Sequence, residues 1–406
     1  MKAVQQFSPE IRQYMVVTGN YWAFTLTDGA LRMLVVLYFY GLGFSPLQIA
    51  TLFIFYEVFG VVTNLLGGWL GARLGLNRTM NIGLFLQVLA LGMLLVPASL
   101  LTIPWVMAAQ ALSGIAKDLN KMSAKSAIKL LVPSDAQGQL FKWVAILTGS
   151  KNALKGAGFF LGGVLLTLFG FDGAIAGMAC ALLLVWIFSL VCLKRDLGKA
   201  KNKPKFTEIF SKSRAINYLS AARMFLFGSR DVWFVVALPV YLASEFGWDH
   251  WTVGGFLAVW IIGYGLVQGF APKLTGTGSG KVPGGPDAIV WAFLLAGVPA
   301  VIALALMFEW NSSLVLIVGL LVFGGLFAIN SSLHSYLIVS YASEDGVSLD
   351  VGFYYMANAM GRLIGTVLSG WLFQDYGLVM CLWVSFAFIA ITGLISFGLP
   401  QHARSK

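Results

Sequence analysis

FKWVAILTGSKNALKGAGFFLGGVLL, residues 141–166, and VGFYYMANAMGRLIGTVLSGWLF, residues 351–373, are the two stretches on which the fold turns. Each is long enough to cross a hydrocarbon core of about 30 Å as a helix. Each also carries cations inside an apolar run: Lys151 and Lys155 in the first, Arg362 in the second. Sliding one onto the other pairs Lys155 with Arg362, Lys151 with Asn358, Gly158 with Gly365, Gly162 with Ser369 and Gly163 with Gly370. A second echo supports a repeat. Asp28 precedes GFSP (43–46) by about sixteen residues, Asp231 precedes GWDH (247–250) at nearly the same distance, and an apolar helix follows each. A parallel repeat of helices in a membrane places a binding site near the midplane.

Composition agrees with a membrane reading. The 406 residues are 58% hydrophobic and 11% charged, with mean hydropathy +0.82, whereas about a quarter of a soluble protein's residues are charged. Apolar segments of roughly 20 residues recur about twelve times, so the expected fold class is an all-α polytopic membrane protein. The beginning, MKAVQQFSPEIRQY, has none of the pattern of a cleaved signal peptide. A net charge of +10 could suggest nucleic acid, but the basic residues sort by connection. Lys2 and Arg12, Arg73 and Arg78, Lys142, the cluster from Lys194 to Arg214, Lys273 and Lys281, and Arg404 and Lys406 fall on alternate loops. The positive-inside rule then expects both termini in the cytoplasm, residence in the cytoplasmic (inner) membrane, the lipid bilayer as partner and no nucleic acid. SYASEDGVSLD (340–350) is acidic and departs from that rule. Cys180, Cys192 and Cys381 have no metal spacing and read as packing residues; no metal and no cofactor is expected.

Two six-helix bundles, 1–193 and 216–406, are expected on either side of a basic cytoplasmic linker, 194–215. The glycine-rich KLTGTGSGKVPGGPD (273–287) lacks the GxxxxGK[ST] order and reads as a flexible loop. GGWLGARLGLNRTMN (67–81) resembles the loop between the second and third helices of the major facilitator superfamily, a GxLaDRxGRr-like turn that gates the cytoplasmic side. Gly68, Leu70, Gly71, Arg73, Gly75 and Arg78 match it or lie close to it, and Ala72 stands where Asp is usual. The resemblance implies the major facilitator fold of twelve transmembrane helices, with segments three, six, nine and twelve outside. Every charge deep in a segment falls on segments one, two, four, five, seven or eleven. A mid-membrane charge costs about 2.5–3.5 kcal/mol on insertion scales, so it must face water, a partner or a substrate.

The buried inventory is Asp28, Arg32, Glu57, Lys117, Asp118, Lys121, Lys151, Lys155, Arg223, Arg230, Asp231 and Arg362, in which cations outnumber acids. In SGIAKDLNKMSAKSAIK (113–129), Lys117, Lys121 and Lys125 stack at steps of four; Lys125 and Lys129 read as a solvated helix end. Asp28 and Arg32, four apart, can pair, as can Arg230 and Asp231. Such a cavity suits a multiply charged anion, with arginine supplying a planar fork and lysine a point charge. The expected substrate contacts are Lys117, Lys121, Lys151, Lys155, Arg230, Tyr354, Asn358 and Arg362. Asp28, Arg32, Glu57, Asp231 and His334 are expected in coupling or ion pairing. A membrane enzyme would need a metal cluster or nucleophile triad that the sequence does not offer, and a receptor or scaffold would not need so many buried cations.

Several runs together resemble one family across nearly the full chain: TGNYWAFTLTDGALRMLV (18–35), the 67–81 loop, QALSGIAKDLNKMSAKSAIKLLVP (110–133), WVAILTGSKNALKG (143–156) and RDVWFVVALPVYL (230–242). They are similar to the ArsJ organoarsenical efflux permeases. That resemblance implies a monomeric, non-enzymatic exporter of 1-arseno-3-phosphoglycerate, functionally linked to a glyceraldehyde-3-phosphate dehydrogenase that makes the substrate from arsenate. An organophosphate:phosphate exchanger of the same superfamily is the alternative.

Overall fold

The computed structural model describes residues 9–44, 52–132, 137–193, 197–200, 213–248, 250–276 and 282–401. Lys2, Lys194, Lys281, Arg404, Lys406 and most of the linker lie outside them. Among the described residues there is no strand. The described residues form eleven α-helices, in order α1 (Pro9–Gly41), α2 (Ile54–Leu74), α3 (Leu76–Met93), α4 (Ile103–Leu131), α5 (Gln137–Cys192), α6 (Arg214–Phe234), α7 (Ala237–Phe246), α8 (His250–Leu274), α9 (Gly285–Met307), α10 (Ser312–Tyr341) and α11 (Val347–Ser396).

Helices α5 and α11, of 56 and 50 residues, are each two spans joined at a glycine, Gly170 (φ 66°) and Gly377 (φ 74°). Left-handed backbone is cheap only for glycine, so each bend sits where no side chain resists it. Helices α6 and α7 together form one segment, Arg214–Phe246. The Ser369 hydroxyl, from α11, accepts the Ala237 N–H at 3.1 Å where α7 begins. With those two splits and that one union, the eleven helices give the twelve spans expected. Among the described residues, eight stretches are long and apolar enough to cross a membrane, α5 and α11 each counting once. Helices α3 and α4 fall outside that count; Lys117, Asp118, Lys121, Lys125 and Lys129 lie along α4. Leu168, Leu184, Phe188 and Val191 on α5, and Val290 and Val301 on α9, are more than half exposed. On a soluble protein such surfaces would be unfavourable; in a bilayer they meet acyl chains.

By its contacts the chain forms two compact units. Unit 1 is Met1–Ala136, Ser150–Ser211 and Ala342–Met356; unit 2 is Gln137–Gly149, Lys212–Tyr341 and Ala357–Lys406. In unit 1, Asn20 donates to Ser189 Oγ (2.8 Å), which donates to Asn81 Oδ1 (2.6 Å), tying α1, α5 and α3 together. Gly75 (φ 94°) makes the turn between α2 and α3. Linker residues 197–200 pin that turn: Leu76 N–H donates to Leu197 O at 2.7 Å and Ala200 N–H to Ala72 O at 2.9 Å. Gly198 (φ 70°) sits against Leu76 and Leu130, where a Cβ would overlap both.

Glycines set the closest helix approaches, since without a side chain two backbones can touch. In unit 1 a Cβ on Gly158 would stand 2.7 Å from Leu26 O, and one on Gly162 would strike Ala30 O. In unit 2 a Cβ on Gly361 would strike Met224 O, and one on Gly365 would stand 2.6 Å from Gly228 O. Earlier on the same helices, Gly352 meets Asn64 O and Gly68 in unit 1, while Gly149 meets Gly265 and Gly269 in unit 2. The spacing 149, 158, 162 therefore recurs as 352, 361, 365. This corrects the register read from sequence by one helical turn. Lys155 is the counterpart of Asn358, not of Arg362, and Arg32 on α1 is the counterpart of Arg230 on α6. Only the bends at Gly170 and Gly377 keep the longer offset, because α11 carries one extra turn between packing glycine and bend.

Candidate substrate-binding sites

Each unit gathers buried charge around a small set of aromatic rings. In unit 1 the focus is Tyr56, which α2 brings to α1 and α4. The close fit of Gly114 against the Tyr56 backbone, where a Cβ would stand 2.7 Å from the carbonyl oxygen, lets α4 approach α2. The Tyr56 hydroxyl donates to Asp28 Oδ1 at 2.7 Å. The Arg32 guanidinium lies 4.9 Å from the Tyr56 ring centroid and 5.0 Å from that of Phe53, and Lys117 Nζ lies 3.8 Å from Tyr56. Arg32 Nη2 pairs with Glu57 Oε1 at 3.2 Å. The expected Asp28–Arg32 pair is thus replaced by two other contacts, because the phenol takes Asp28 and α2 offers Arg32 a second carboxylate.

One turn along α4, Asp118 is buried and shared by lysines on either side. Lys121 Nζ is 2.6 Å from Oδ1, whereas Lys117 Nζ is 3.8 Å from Oδ2. Lys121 also lies 4.6 Å from the Tyr355 ring centroid, and Tyr355 stands edge-on to the fully buried Tyr354 at 5.0 Å. Lys125 is only 2% exposed, which corrects its reading as a solvated helix end; Lys129 is half-buried. Lys151 and Lys155 are half-buried on α5. The Lys155 carbonyl is 2.7 Å from where a Cβ on Gly29 would stand, so that turn of α5 is seated directly on α1.

In unit 2 the focus is Asp231 on α6, fully buried. Its Oδ1 accepts from Arg230, with Nε at 2.6 Å and Nη2 at 2.5 Å, and its Oδ2 accepts from Arg362 Nε at 3.1 Å. The expected Arg230–Asp231 pair is present, and Arg362 joins it. Two turns earlier on α6, Arg223 donates through Nε to Asn358 Oδ1 (2.8 Å) and through Nη1 to the Ser331 carbonyl (3.1 Å). The Arg223 guanidinium is 3.9 Å from the Phe227 ring centroid, and that of Arg230 is 5.1 Å from Phe227 and 5.4 Å from Phe327. Rings favour a nearby cation without neutralising it. Three arginines, Arg223, Arg230 and Arg362, and one carboxylate, that of Asp231, make up the contacts described for this cluster, which is formally cationic. His334 on α10 is fully buried, and neither ring nitrogen has a protein hydrogen-bond partner among the described residues.

The candidate gating residues lie at the α2–α3 turn. Gly68 and Gly71 are buried, Ser348 Oγ donates to Gly68 O at 2.8 Å, and Arg73 lies 4.8 Å from the Trp69 ring centroid. Arg78 is exposed at the start of α3. Of the cysteines, Cys381 is buried and packs in the unit 2 core, while Cys180 and Cys192 are exposed, which corrects their reading as packing residues. Sequence reasoning missed Tyr56, Tyr355, Phe227 and Phe327. Aromatic residues are common in apolar helices, and nothing in their spacing separates a ring under a cation from a ring in the core.

A search of characterised proteins returns no significant match. Among solved structures, the human organic anion transporter MFSD10 (TETRAN) is similar over 96% of this chain and 100% of its own, with TM-score 0.75 and 17% identity. A bacterial homologue of the iron transporter ferroportin, in an outward-facing state, covers 94% and 98% with TM-score 0.72 and 13% identity. The transporter FucP, in the outward conformation, covers 96% and 99% with TM-score 0.71 and 12% identity. At such identities the likeness speaks for the fold. The sequence itself matches the family model of the Major Facilitator Superfamily over residues 17–283. With its helical repeat and charged helix interiors, this multi-pass membrane chain belongs to the major facilitator superfamily of transporters.

Proposed function

We propose that this protein is a secondary active transporter that exports a small phosphorylated anion, 1-arseno-3-phosphoglycerate, by alternating access, and so confers arsenate resistance. The observation that carries this reading is the unit 2 cluster, in which Arg230 and Arg362 share the one carboxylate of Asp231 beside Arg223. Guanidinium forks suit phosphate and arsenate oxygens, and a partly neutralised arginine cluster can exchange a protein carboxylate for a substrate oxyanion. Unit 1, taken by itself, carries point charges of the kind an oxyanion meets, Lys117 and Lys121 on α4 with Lys151 and Lys155 on α5. The similarity to the organic anion transporter MFSD10 supports an organic anion as cargo, and the resemblance to organoarsenical permeases narrows it. On this reading the protein works as a monomer in the inner membrane with cytoplasmic termini, supplied by a glyceraldehyde-3-phosphate dehydrogenase.

The test is flux into proteoliposomes of 3-phosphoglycerate, and of the arsenylated product formed in situ by that dehydrogenase with arsenate, with and without a pH gradient. Saturable flux of the arsenylated anion supports the proposal. Flux of neither anion would overturn it, and flux that requires phosphate on the opposite side would identify an organophosphate:phosphate exchanger instead.

A further inference from the structure

Tyr56 belongs to none of the charged positions that mark the unit 1 site, yet three of them meet on it. Its hydroxyl holds Asp28, its ring lies beneath Arg32 and Lys117, and it is itself buried. The ammonium of Lys117 is the informative group. Its distance to Asp118 Oδ2, 3.8 Å, exceeds the roughly 2.7–2.9 Å of a charge-assisted hydrogen bond. Lys121 makes that short contact with the same carboxylate, at 2.6 Å. Lys117 is instead seated on an aromatic face at 3.8 Å, where the ring attracts the cation but accepts none of its hydrogens as a carboxylate would. Gly60, one turn after Tyr56, completes the seat. A Cβ there would stand 3.1 Å from Asp118 Oδ2 and 4.0 Å from Lys117 Nζ, so its absence leaves the carboxylate and ammonium their room.

We propose that Tyr56, with Gly60, is the positioning element of the unit 1 site: its hydroxyl engages Asp28 while its ring keeps the Lys117 ammonium off Asp118 and available to a substrate oxyanion. The inference rests on the transport reading above. Without the ring, Lys117 closes on Asp118 and its hydrogens are spent inside the protein. The ring is the part that seats Lys117, so Tyr56→Phe should retain most of the effect and Tyr56→Leu should lose it.

The test measures 3-phosphoglycerate uptake by full-length protein in proteoliposomes for Tyr56→Phe, Tyr56→Leu, Lys117→Ala and the double variant Tyr56→Leu/Lys117→Ala. Tyr56→Leu should raise KM roughly tenfold with little change in maximal rate, Tyr56→Phe should raise it far less, and the double variant should be no worse than Lys117→Ala alone. An unchanged KM in Tyr56→Leu, or losses that simply add, would overturn the proposal. The same four proteins and the wild type are unfolded thermally in detergent. Coupling between positions 56 and 117 in that cycle supports the seating even if the wild type moves no phosphoglycerate, a result that would sink only the substrate assignment. Absence of coupling sinks the seating whatever is transported.

Discussion

Gly365→Ala is the substitution whose consequence is most directly set by geometry. The added Cβ would stand 2.6 Å from Gly228 O and 3.0 Å from Asp231 Cβ. A carbon needs about 3.3 Å from a carbonyl oxygen, so α11 must retreat from α6 by about 0.7 Å at that level. Arg362 lies one turn earlier on α11, and its Nε is 3.1 Å from Asp231 Oδ2. The same retreat stretches that contact to about 3.8 Å, outside hydrogen-bond range. Overpacking costs about 1–3 kcal/mol; the partly exposed Arg362 contact adds about 1 kcal/mol after allowance for solvent screening. The sum, about 2–4 kcal/mol, should clearly lower the midpoint for thermal unfolding in detergent. Gly370 is the internal control, since a Cβ there meets nothing within 4 Å. Gly370→Ala should be neutral or stabilise by up to about 1 kcal/mol through helix propensity. Equal midpoints for the two variants, or a Gly365→Ala protein as stable as wild type, would refute the reasoning.

Asp231→Asn keeps an oxygen for Arg230 but removes the charge that holds two guanidiniums. Breaking a buried ionic arrangement costs about 3–5 kcal/mol, so folded yield and flux should both fall steeply, with Asp231→Glu intermediate; wild-type flux in Asp231→Asn would contradict this. At the start of α11, Ser348→Ala removes only the 2.8 Å bond to Gly68 O and should cost about 1 kcal/mol. Gly68→Ala drives a methyl into the Ser348 carbonyl and should cost more, and the order of the two unfolding midpoints checks it. Gly198→Val combines a left-handed φ of 70° with overlap on Leu76. It should release the linker from the α2–α3 turn and speed tryptic cleavage after the exposed Lys199 several-fold, as read on a gel; an unchanged cleavage rate would show that the two backbone bonds do not pin it.

The packing glycines show where reading a sequence stops. A slip of four residues leaves every side chain of a helix on nearly the same face, since 3.6 residues make a turn, and an apolar pattern cannot distinguish the two registers. Only the carbonyl oxygens of Leu26, Ala30, Met224 and Gly228, each close to one glycine, decide it. Ion pairing behaves likewise. Asp28 and Arg32 have the spacing of a pair, but Tyr56 and Glu57 arrive from another helix and divide them.

The sequence by itself determined that the chain crosses a membrane about twelve times, that it repeats, and that its interior is rich in cations. Those follow from composition and periodicity, because a bilayer admits a long helix only when its side chains are apolar and tolerates a charge only where the fold uses it. Which carboxylate neutralises which cation, and which ring lies beneath it, was decided by tertiary structure alone. Those contacts of a few ångströms are made between helices far apart in the chain, where residue spacing carries no information.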